Sequence, residues 1–130
     1  MSSKIEYTIK IDNDLHVVHV QAHGILNFAS AQDMSVNARA MASKYNYGIF
    51  YDFTDIVMDA NISDIYKFTK ENKALEDIDT RNVKAAFLIS CEAQIDYWEF
   101  YELESRNCGL LNRVFIEDEE NALKWASGVR

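Results

Sequence analysis

Gly48-Ile49-Phe50-Tyr51-Asp52-Phe53-Thr54-Asp55, continuing as Ile56-Val57-Met58-Asp59, is the stretch that decides the architecture of this chain. Its apolar and aromatic run predicts a buried strand over residues 48–53 that ends on carboxylates and then feeds a helix over residues 63–75. Open α/β sheets place their working groups at such strand ends. The stretch holds no glycine-rich loop, no nucleophile elbow and no cluster of metal ligands. It therefore points to architecture more directly than to chemistry.

Working outward, residues 4–11 alternate strictly, with Ile5, Tyr7, Ile9 and Ile11 against Glu6, Thr8 and Lys10, which is the period of a half-buried strand. Asn13-Asp14 supplies a tight turn, and residues 15–23 return as a second strand closed by Gly24, giving an antiparallel hairpin. Asn27 or Ser30 can cap a helix reaching Tyr45, with Ala31, Met34, Ala38, Met41, Ala42 and Tyr45 on one stripe. Beyond the opening stretch, residues 83–90 are nearly continuous in apolar side chains, as an interior parallel strand should be. A helix over residues 93–107 stops at Gly109, residues 111–116 form the last strand, and Asp118 caps a final helix. The predicted order is β-β-α-β-α-β-α-β-α in a single domain over residues 1–130.

Strand parity refines this picture. Val18, Val20 and Ala22; Ile49, Tyr51 and Phe53; and Val83, Ala85, Phe87 and Ile89 form one wholly apolar face. The opposite face mixes Val17, His19, Gln21 and His23 with Phe50, Asp52, Lys84, Ala86, Leu88, Ser90, Arg113 and Phe115. A sheet covered on both sides shows two apolar faces. The pattern predicts a mixed five-stranded sheet, its first strand antiparallel and the rest parallel, with helices mainly on one face and two layers in all.

Composition excludes several function classes. Of 130 residues, 48% are hydrophobic and 26% charged, the balance of a globular domain. A net charge of −8 argues against nucleic acid, which is bound by clustered Lys and Arg, and disfavours electrostatic docking on anionic lipid. Apolar runs are too short for a membrane span, and residues 1–4 lead into no signal-like segment, so a cytoplasmic location is expected. Cys91 and Cys108 lack metal or redox spacing and read as reduced structural thiols. No cofactor is implied.

Three groups of residues invite a sharper reading. Asp52, Asp55 and Asp59 gather near a strand end; they read as helix caps in a solvated loop, or as a general base or cation site. His19 and His23 share a strand face but stand about 13 Å apart, too far for one metal ion. The third helix is the strangest element: Ile95, Tyr97, Trp98 and Tyr101 occupy one broad arc, while Phe100 and Leu103 fall outside it among acids. A helix on a sheet buries one stripe. Some of Tyr97, Phe100, Tyr101 or Leu103 should thus remain accessible as an interface, unless a neighbouring element covers them.

Three segments together resemble the SpoIIAA-like branch of the STAS superfamily: Gly24, then Asp52-Phe53-Thr54, then Val114-Phe115-Ile116-Glu117-Asp118 with Ala122-Leu123-Lys124-Trp125. The element order matches over essentially the whole length. The resemblance implies the fold and a role as a small interaction or ligand-binding module. In the anti-sigma-antagonist relatives an Asp-Ser pair at a helix start is phosphorylated; here Asp59 is followed by Ala60, so the hydroxyl is missing. The expectation is a non-enzymatic STAS-like module acting through a protein partner, a homodimer or a small apolar or lipid-like ligand, with only weak membrane association. Gly24, Asp52, Thr54, Asp55 and Ser90 at the strand ends, with Trp98 and Tyr101, are the expected ligand-binding residues. The competing expectations are a small enzyme using Asp52 or Asp55 as general base and a peripheral membrane protein.

Overall fold

A computed structural model describes residues 5–59, 61–72, 83–90, 95–107 and 109–127, with side chains of the second helix described as far as residue 68. The expected Ala60, Cys91 and Cys108 readings fall outside these residues. The elements are β1 (Glu6–Asp12), β2 (Val17–Leu26), α1 (Phe28–Tyr45), β3 (Gly48–Met58), α2 (Ile62–Asn72), β4 (Lys84–Ile89), α3 (Ile95–Asn107), β5 (Leu111–Ile116) and α4 (Glu119–Ser127). The sheet runs β1-β2-β3-β4-β5, with β1 antiparallel to β2 and all other pairs parallel.

Local chemistry sets the ends of these elements. Asp12 Oδ1 accepts the N–H groups of Asp14 (3.0 Å) and Leu15 (2.9 Å), so the hairpin turn spans residues 13–16 and β2 begins two residues later than its pattern suggested. Asn27 is the cap of α1: its Oδ1 accepts from Ser30 N at 2.9 Å, and Ser30 Oγ accepts from Asn27 N at 3.1 Å, a reciprocal capping box. Asn61 and Asp64 repeat the arrangement at α2, so this cap falls to Asn61 and not to the three aspartates before it. Asp118 caps α4 as expected. Gly109, at φ 82°, ends α3 while Leu110 N–H returns to Ser105 O at 2.8 Å.

The apolar strand face carries the main core. Val18, Val20, Ala22, Ile49, Tyr51, Phe53, Ala85, Phe87 and Ile89 meet Met34, Ala38 and Ala42 of α1, Ile65 of α2, and Trp98 and Tyr101 of α3. Successive crossovers between neighbouring strands place these three helices on one side. The second face is not left open, however. Phe50, Ala86, Leu88, Phe115 and Val17 form an apolar strip on which α4 lays Ala122 and Ala126. The expected two layers thus become three over part of the sheet, because the strip is wide enough for one helix. Gly48 makes the approach possible: a Cβ there would lie 1.9 Å from the Ala126 carbonyl oxygen.

Candidate functional site

β3 does not stop at Phe53, and the reason creates the site. Gln21 pairs with Asp52 but His23 pairs with Asp55, so β3 carries one extra residue opposite Ala22. Asp52 Oδ1 holds this bulge by accepting from Thr54 Oγ1 at 2.7 Å and from Thr54 N at 3.2 Å. The extra residue flips the parity of the strand. Burial moves from Ile49, Tyr51 and Phe53 to Ile56 and Met58, and β3 runs on to pair with β2 through Leu26 and Met58. Gly24, expected to close β2, instead lies inside it opposite Ile56 at φ 113°, a backbone that glycine adopts without strain.

The prolonged strands roof an apolar cavity of about 60 Å³ between the sheet and α1, α2 and α3. Leu26, Phe28, Met34, Met58, Ile65 and Phe68 line it together with Phe53, Phe87 and Trp98. The aromatic wall is continuous: Phe87 stacks on Tyr51 at 4.5 Å and meets Tyr101 edge-on at 5.3 Å, while Phe53 and Trp98 stand 5.7 Å apart. Asp64 and Asn27, the residues of the two helix caps, lie at the more exposed end.

The other end is polar and buried. Ser35, Tyr51 and Tyr101 line the cavity there, and Arg39 lies behind them, 3% exposed. Arg39 Nε donates to Ser35 Oγ at 3.2 Å, and its Nη2 donates to Asn112 Oδ1 at 3.0 Å. Asn112 Nδ2 in turn donates to Tyr101 Oη at 2.9 Å and to Ser105 Oγ at 3.2 Å. Burial pushes the Tyr101 phenol up to about 12 and raises Tyr51 further, against the Arg39 charge, which pulls both down. Both hydroxyls therefore stay protonated at neutral pH.

The expected site residues do not come together. Trp98 and Tyr101 are cavity wall, 3% and 5% exposed, whereas Ile95, Tyr97 and Phe100 are half-buried and Leu103 is 50% exposed, so α3 keeps part of its apolar surface accessible as expected, though not at Tyr101. Asp52, Thr54 and Asp55 are not at a strand end: Asp52 lies on the opposite sheet face, in an open polar groove with Thr8, Lys10, His19 and Gln21, while Thr54 and Asp55 are exposed. Ser90 is half-buried just beyond β4. His19 approaches Asp12 Oδ2 at 3.5 Å without hydrogen-bond geometry, and His23 approaches Glu6 Oε2 at 3.2 Å. Among the described residues, no three His, Cys, Asp or Glu side chains could hold a metal ion, and no helix is long and apolar enough to cross a membrane. Sequence reasoning missed Met34, Ser35, Arg39 and Tyr51 as a set. The available signal was Ser35 and Arg39, four apart beside the small buried residues of α1.

No family model matches the chain, and no curated protein matches it. Among solved structures it is similar to an uncharacterized DUF3478-family protein with a SpoIIAA-like fold from Shewanella loihica PV-4. The match has a TM-score of 0.52 at 18% identity and covers 97% of this chain and 98% of that one. The chain has a SpoIIAA-like fold.

Proposed function

We propose that this protein is a non-enzymatic binding module whose ligand is a small apolar molecule held between the sheet and α1, α2 and α3. The observation that carries the reading is the cavity itself, an aromatic and thioether-lined space at the carboxyl ends of β2 and β3. A volume of about 60 Å³ is below the ~150 Å³ of an apolar cavity that holds benzene, so uptake requires the wall to give. Met34 and Met58 suit that, since the unbranched thioether repacks at low cost. Asp52 is engaged with Thr54 and faces away from the cavity, which favours binding over general-base catalysis.

Trp98 in the wall reports on occupancy once Trp125, in the second core, is changed to Phe. Titration of that variant with toluene or hexan-1-ol should give a saturable change in Trp98 emission. Ala31→Leu, which fills the cavity, should abolish it. No saturable change with either probe, or one that persists in Ala31→Leu, overturns the reading.

A further inference from the structure

The cavity is apolar along its walls but not at its ends, and its two ends differ in charge. At the open end sits the Asp64 carboxylate, tied to the α2 cap through Asn61 N at 3.2 Å. At the closed end, Ser35, Tyr51 and Tyr101 are part of the lining, and the Arg39 guanidinium lies behind them, bonded to Ser35. A guanidinium only donates. Asn112 therefore accepts from it through Oδ1 and passes a hydrogen bond on through Nδ2 to Tyr101 Oη. Tyr101 is also hydrogen-bonded with Ser105, so its phenol meets an incoming acceptor by exchanging that neutral partner for it. Tyr51, hydrogen-bonded by Ser35, feels the same positive charge. The closed end thus holds two phenols, each with a neutral hydrogen-bond partner, in a low-dielectric site biased by a cation, an environment that favours an anionic acceptor.

We infer that the ligand is an amphiphile with a carboxylate head, seated head-inward against the Tyr101 and Tyr51 hydroxyls with its apolar body between Met34, Met58, Phe68 and Phe87. Asp64 at the mouth sets this direction, because it repels an acid head left at the open end. The inference rests on the cavity being a ligand site and adds the chemical class of what enters.

The test compares hexanoate with hexan-1-ol and hexylamine at neutral pH in the Trp125→Phe protein, read by Trp98 emission. Hexanoate should bind about tenfold more tightly than hexan-1-ol, the effect of one charge-assisted hydrogen bond, and hexylamine more weakly than either. Tyr101→Phe should bring the acid-to-alcohol ratio close to one. Asn112 Nδ2 keeps Ser105 as partner in that variant, and Tyr51→Phe offers an independent second removal of a donor. Equal affinity for acid and alcohol overturns the carboxylate assignment while leaving the cavity reading standing. Binding of no probe at all overturns both.

Discussion

Asp52 and Thr54 lie two residues apart, and the 2.7 Å bond from Thr54 Oγ1 to Asp52 Oδ1 does more for the site than any charge the aspartate could bring to it. It fixes the bulge that turns Ile56 and Met58 toward the core. A carboxylate after an apolar run reads in sequence as chemistry at a strand end; that it binds its own backbone two residues on is visible only in the folded chain. Asp52→Ala should cost about 1–2 kcal/mol in denaturant unfolding through the lost acceptor for Thr54. It should also perturb Trp98 emission through a shifted Met58. Asp52→Asn keeps an oxygen acceptor at the same place and should retain most of that stability. An asparagine variant as damaged as the alanine one would show that the charge, and not the bulge, is what matters.

At the scale of elements, the caps were the most legible feature, because Asn27, Asp118 and Gly109 act on neighbours in sequence. β3 and α3 were the least. The length of β3 depends on β2 continuing beside it past Gly24, and the burial of Tyr101 depends on Phe68 of α2 meeting it at 6.0 Å. Neither partner lies within a strand or helix period of the residue concerned. The placement of α4 also hid in a single position. Gly48 admits the carbonyl of Ala126, where a methyl group would lie 1.9 Å from that oxygen, a backbone atom with no rotamer to change. Gly48→Ala should therefore destabilise by about 1–3 kcal/mol as the helix is pushed off the strip. Affinity for cavity probes should hold, since Gly48 and Ala126 belong to the other face. If Gly48→Ala proved stabilising, as the substitution is where backbone and space permit, α4 would not pack as described.

For the whole molecule, strand parity carried the most information. The residues assigned to the apolar face are those that pack under α1, α2 and α3. The face read as mixed is divided in two: an apolar strip around Phe50, Leu88 and Phe115 beneath α4, and an open polar groove around Lys10, His19, Gln21 and Asp52. Alternation along a strand reports which side a residue faces but not how far a helix extends across that side, so this division could not be read from any one segment. The sheet accordingly separates two cores that share no side chain, Met34 lying in one and Leu88 in the other. Truncating either to alanine should cost about 2–5 kcal/mol. With no common partner, the two losses should add to within about 0.5 kcal/mol in the double variant. Binding should separate them completely: Met34→Ala enlarges the cavity and should tighten toluene uptake, whereas Leu88→Ala should leave it as it was. A coupling well above 1 kcal/mol, or a change in toluene affinity from Leu88→Ala, would mean that strain crosses the sheet and that α4 has a say in what the cavity holds.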